Sequence, residues 1–178
     1  VLEPHLAVSL SSVSRELREL TQAQRLQLKV DHEAVAALCH KAGIPGCKEL
    51  RQATEVALRR LNLTATDLAL LGTLGSVLPA LEWLRLTESS AGAVFPDGVQ
   101  RLAAGLGAGA LPAVNMFAIC GMHMGDAGAS ALAAALGRGA LPRLKTLRLF
   151  GAAIGDAGMA ALAPALRQLP ALEALSLD

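Results

Sequence analysis

The segment Leu144–Leu166, LKTLRLFGAAIGDAGMAALAPAL, changes its hydrophobic period halfway along. It opens as L-x-x-L-x-L. Leu147 and Leu149 fall on one side and Arg148 on the other, the alternation of a half-buried strand. From Met159 to Leu166 the apolar residues recur at helical spacing among good helix formers, which predicts a helix. Between the two lies FGAAIGDAG, Phe150–Gly158. Its glycines mark a turn, and Asp156 is expected to cap the helix by accepting the free N–H groups of the first turn.

The same parts recur on either side. CGMHMGDAG, Cys120–Gly128, repeats the corner, with Asp126 as the matching cap. Leu-Pro pairs open four similar stretches: LPALEWLRL (78–86), LPAVNMFAI (111–119), LPRLKTLRL (141–149) and LPALEALSL (169–177). LRRLNL (58–63) is an earlier relative without the Leu-Pro. The alignment sets Leu58, Leu81, Val114, Leu144 and Leu172 in equivalent places, 23, 33, 30 and 28 residues apart. Helices are predicted over Asp67–Leu74, Val99–Leu106, Ala129–Leu136 and Met159–Leu166, with Gly and Pro where they should stop.

Units of this length and order resemble leucine-rich repeats of the ribonuclease-inhibitor-like class, whose pattern is L-x-x-L-x-L-x-x-N-x-I-G-D-x-G-x-x-x-L-A-x-x-L. The resemblance is tightest over Leu144–Leu166, good over Val114–Leu136 and looser over Leu58–Leu106, and it covers about two-thirds of the chain. It implies an α/β solenoid, with a curved parallel sheet on the concave side and helices on the convex side. About four repeats over 56–178 would end in a strand without its helix. The family's Asn after the strand falls here at Thr66, Ser89, Met122 and Ala152. Thr and Ser can satisfy part of the loop backbone, whereas Met and Ala cannot.

Residues 1–55 follow another plan, a mainly helical capping region. Amphipathic helices are predicted over Ser14–Gln24 and Asp31–Lys41, the second capped by Asp31 and closed by Gly43 and Pro45. RLQLKV (25–30) alternates like the strand of a degenerate first repeat. HLAVSLSSVSRELREL (5–20) resembles the second half of an F-box, although an ordinary capping helix is the favoured reading. The chain begins at Val1 rather than Met, so processing or a longer product is expected. It ends at Asp178, straight after LEALSL. Further chain or a partner is therefore expected over Leu172, Leu175 and Leu177.

Composition narrows the function classes. Sixteen basic and fifteen acidic residues leave a net charge of +1, without the basic excess of a nucleic-acid binder. Charged residues interrupt every apolar run before it reaches membrane-span length. Three cysteines make no disulfide framework, which points to an intracellular, cytoplasmic setting.

No chemical site survives the repeat register. Cys120, Met122, His123 and Met124 together suggest a soft-metal site. Register turns Met122 and Met124 inward and the other two elsewhere, so no metal is expected. The two GDAG stretches lack the Lys-Ser/Thr pair of a phosphate loop. Cys39, His40 and Cys47 lack the tight pairing of a zinc site. There is no G-x-S-x-G elbow, and no cofactor or enzymatic activity is expected.

A solenoid binds through its sheet. The alignment places Arg59, Arg60, Asn62, Glu82, Trp83, Arg85, Asn115, Met116, Ala118, Lys145, Thr146, Arg148, Glu173, Ala174 and Ser176 outward, with Thr64, Thr87, Cys120 and Phe150 just past the strands. Trp and Arg dominate binding hot spots. The expected partner-binding face therefore centres on Trp83, Met116 and Phe150, flanked by Arg60, Arg85 and Arg148. The expected function is a protein–protein interaction module or scaffold. The alternative is a regulatory adaptor, such as a ubiquitin-ligase substrate receptor or a small-GTPase regulator.

Overall fold

A computed structural model of the chain describes residues 32–88 and 96–177. Chain contacts divide it into Val1–Ala37 and Leu38–Asp178. Of the first unit only residues 32–37 are described. They begin a helix, α1, over residues 32–41. The expectations for the stretches 5–20, 14–24 and 25–30, for Asp31 and for Ser89 lie outside the described residues.

The second unit continues as α2 (Cys47–Gln52), β1 (Glu55–Arg59), α3 (Ala65–Leu74), β2 (Trp83–Thr87) and α4 (Pro96–Gly105). Then follow β3 (Met116–Cys120), α5 (Gly125–Gly137), β4 (Thr146–Phe150), α6 (Asp156–Arg167) and β5 (Ala174–Leu177). The five strands form one parallel sheet in chain order. Parallel neighbours need a crossover connection, and one helix supplies each. Consecutive helices from α3 to α6 pack on one another. The result is a repeat-like α/β arrangement compatible with a solenoid, each unit touching its neighbours. No helix among the described residues is long and apolar enough to cross a membrane.

Register makes the core. Val56, Leu84, Phe117 and Leu147 form one row across the sheet; Leu58, Leu86, Ile119 and Leu149 form the next inward row. All eight are buried. Helix residues Leu68, Leu71, Leu102, Leu132 and Leu162 are buried too, as are Leu78, Leu111 and Leu141 of the Leu-Pro pairs. Leu175 and Leu177 continue the two rows into β5 but stay 43% and 36% exposed.

Two expectations are corrected. First, the sheet pairs Leu58 with Leu86, not Leu81. LRRLNL has strand-like leucines, but Arg60 and Asn62 take left-handed φ of 54° and 48°, which no strand sustains. The true strand is EVALR, whose Val56 and Leu58 enter the core. Arg60 and Asn62 thus lie in the turn beyond it, and the turn position matching Met122 and Ala152 falls at Leu61 rather than Thr66. Met122 and Ala152 are themselves buried.

Second, the GDAG stretches belong to the helices they precede. Gly125 is the first residue of α5 and Asp156 the first of α6, so these helices start about a turn earlier than predicted. Neither aspartate caps its own helix. Instead Asp126 Oδ1 accepts hydrogen bonds from the Gly155 N–H at 2.7 Å and the Gly158 N–H at 3.0 Å. It caps α6, the helix of the following unit. A Cβ on Gly158 would stand 2.6 Å from that oxygen, so glycine leaves room for the contact. Gly125, at φ 62°, turns the chain into α5. By contrast α3 caps itself. The Thr64 hydroxyl accepts from the Asp67 N–H at 3.1 Å, and the Asp67 carboxylate accepts from the Thr64 N–H at 2.8 Å. Burial raises the Asp67 pKa, but hydrogen bonds from Lys41 and Thr64 outweigh it and hold the carboxyl below its usual range.

Asp126→Ala is expected to lower stability by about 1 kcal/mol. Asp156 makes no hydrogen bond among the described residues, so Asp156→Ala should cost under about 0.5 kcal/mol. Urea unfolding of the two variants measures the difference; a larger loss at Asp156 would return the cap to its own helix.

Candidate partner-binding face

The sheet's other face shows three outward rows. Glu55, Trp83, Met116, Thr146 and Ala174 form the first, and Ala57, Arg85, Ala118, Arg148 and Ser176 the second. Arg59, Thr87, Cys120 and Phe150 form the third. Neighbours within a row stand roughly 4.8 Å apart, the inter-strand spacing.

The predicted residues separate into two groups. Trp83 and Met116 are adjacent in the first row; Trp83 is 43% exposed and Met116 half-buried. Phe150, 56% exposed, lies two strands away at the far end of the sheet, beside Cys120. Arg85 and Arg148 share the second row with Ala118 between them, which sets their Cα atoms roughly 10 Å apart. Arg60 belongs to no row, since it follows β1.

These arginines nevertheless meet. A groove of about 610 Å³ is lined by Arg59, Arg60, Arg85 and Arg148, with Thr87, Ala118 and Cys120. Ala118 is only 1% exposed although it faces outward, so it forms a floor between larger side chains. Among the described residues four that line it are arginine and none is acidic. Among the described residues the ion pairs are Lys41–Asp67 and Lys145–Glu173, so none of the four guanidinium groups is neutralised there. Arg59 lay outside the predicted centre. The alternation of EVALR was the signal that would have placed it in a row.

The turns beyond the strands fix the groove's end. The Arg60 N–H donates to the Thr87 carbonyl at 2.8 Å, the Glu88 N–H to Cys120 at 3.1 Å and the Gly121 N–H to Phe150 at 2.8 Å. Gly121 has φ 67°, and a Cβ there would collide with the Glu88 carbonyl oxygen. The Glu88 side chain is buried, its Oε2 accepting from the Leu63 N–H at 3.3 Å.

The Cys-Met-His-Met cluster diverges. Met122 and Met124 are buried, His123 is exposed, and Cys120 borders the groove. Cys39 is buried beside Cys47; that burial, with the neighbouring thiol adding, pushes its pKa up to about 11. A thiol held protonated in this way is a poor nucleophile and a poor metal ligand. Among the described residues no three His, Cys, Asp or Glu side chains are placed to hold a metal ion.

Compared with models of known protein families and with curated proteins, the chain matches none.

Proposed function

We propose that the chain is a leucine-rich-repeat interaction module or scaffold that binds a protein partner through its open sheet face. One observation carries this reading: Trp83 and Phe150 stand 43% and 56% exposed on a regular sheet whose opposite rows are buried from β1 to β4. The chain holds a single Trp and three Phe, and Trp83 and Phe150 lie on this face. Exposed aromatic and arginine side chains are the residues that supply binding energy at protein interfaces. The units that carry them each pack on their neighbours, the arrangement in which repeat proteins present an extended binding surface. All three cysteines are free, which suits a reducing intracellular compartment.

Trp83→Ala with Phe150→Ala is expected to abolish capture of the partner from a cell extract while leaving far-UV circular dichroism unchanged. Both side chains are exposed, so the fold loses little with them. Unimpaired capture by a folded double variant would sink the proposal.

A further inference from the structure

We infer that the arginine-lined groove recognises an acidic segment of a protein partner, with aspartate or glutamate side chains seated between Arg85 and Arg148. The inference rests on the reading of the open face as a protein-binding surface and adds the chemistry of what it binds. Guanidinium groups present fixed forks of N–H donors that match a carboxylate bidentately, and they shed hydration more readily than ammonium groups. Arg85 and Arg148 flank the small Ala118 in one row, with Arg59 and Arg60 lining the same groove. Among the described residues no carboxylate lines it, so a bound anion meets no competitor from them there. Uncompensated positive charge in a concave site draws anionic partners and rejects basic ones.

The surroundings favour a peptide over a nucleic acid. Beyond the groove, toward the strand starts, the exposed Lys145 is paired with Glu173. Exposed Glu55 lies at the start of β1, and exposed Glu82 and Glu173 lie just before β2 and β5. A phosphate backbone continuing across the face toward the starts of β1 and β2 would meet Glu55 and Glu82, at a cost in repulsion. A short acidic segment fits within the groove. Trp83 in the first outward row and Phe150 in the third, on either side of the arginine row, offer apolar contacts to side chains flanking its acidic centre.

Trp83 is the only tryptophan, so its emission reports on this face directly. The test titrates the full chain with three probes: a peptide of alternating glutamate and phenylalanine, its lysine counterpart, and an oligothymidylate of equal length. The glutamate peptide is expected to shift Trp83 emission saturably and to weaken as salt rises. Arg85→Glu with Arg148→Glu should weaken it by about tenfold or more. Arg148→Glu alone, at an exposed position, keeps the test usable if the double variant misfolds. Arg167→Glu, on α6 and outside the groove, should leave binding unchanged. No response to the glutamate peptide, equal binding by the groove variants, or tighter binding of the oligothymidylate overturns the inference. A partner still captured by Arg148→Glu but lost with Trp83→Ala and Phe150→Ala would overturn the acidic-segment inference alone. The open-face reading would then stand.

Discussion

Phe117→Ala is expected to lower the unfolding free energy by about 3–5 kcal/mol. Phe117 is fully buried and heads the large buried side chains. It sits in β3, the central strand, between Leu84 of β2 and Leu147 of β4 in one row. Its neighbours are held by hydrogen-bonded strands on both sides, so the space left by the ring cannot close by moving one loop. The lost transfer energy and the cavity both count. A domain of this size is stable by about 5–15 kcal/mol, so the variant sits near the edge of folding. Phe117→Leu, which keeps most of the volume, should lose under about 1.5 kcal/mol. Urea denaturation reads both. A loss under about 1 kcal/mol for the alanine variant would show that the row repacks freely.

The second large effect runs against helix propensity. Gly72→Ala exchanges a poor helix former for the best one, a gain of about 1 kcal/mol in an open helix. Gly72 is not in an open helix. A Cβ there would drive into the Leu102 carbonyl oxygen of α4, and one on Gly105 would stand 2.9 Å from the Gly72 carbonyl carbon. The two glycines face each other where α3 and α4 pack backbone to backbone. The obstacle is main chain, so no side chain can swing away. The helices must part, and a net loss of about 1–3 kcal/mol is expected. Gly137→Ala supplies the opposite sign. Gly137 ends α5 with nothing near its missing Cβ, so the variant should be neutral or more stable. Thermal unfolding of the pair decides; a stabilised Gly72→Ala would mean the helices separate freely.

The layered architecture was legible because two periods alternate along the chain. In LKTLRL and LPAVNMFAI the alternating residues name the core rows correctly: Leu147, Leu149, Phe117 and Ile119 are all buried. The first repeat was misread because leucine spacing alone cannot distinguish a strand from the turn after it. LRRLNL matched the motif by letter, while the left-handed φ at Arg60 and Asn62 put four of its six residues outside the sheet. The candidate site inherited that slip, which is why Arg60 was placed in a row and Arg59 was left out of its centre. Trp83 and Phe150 were legible, since each is an aromatic residue at an outward position. The groove was not, because it depends on how side chains from β1, β2 and β4 lean over Ala118. The Thr64-Ala65-Thr66-Asp67 capping box could have been found from its spacing; the partner of Asp126 could not, since it lies in the next unit.

The exchange of end-caps between units carries a further meaning. Asp126 of α5 places negative charge at the N-terminus of α6. Arg138, just past the end of α5, donates to the Ala103 and Leu106 carbonyls at 3.0 and 3.1 Å, placing positive charge at the C-terminus of α4. Both signs suit the helix dipoles they meet. Among the described residues both capping side chains of the stretch from β3 to α5 serve its neighbours. If it were duplicated or grafted into another chain, the seam would succeed only where an incoming helix start met Asp126 and an outgoing helix end met Arg138. At these two seams the module is then offset from the strand–helix unit. It runs from one helix interior to the next, and engineering that respects that boundary keeps both caps.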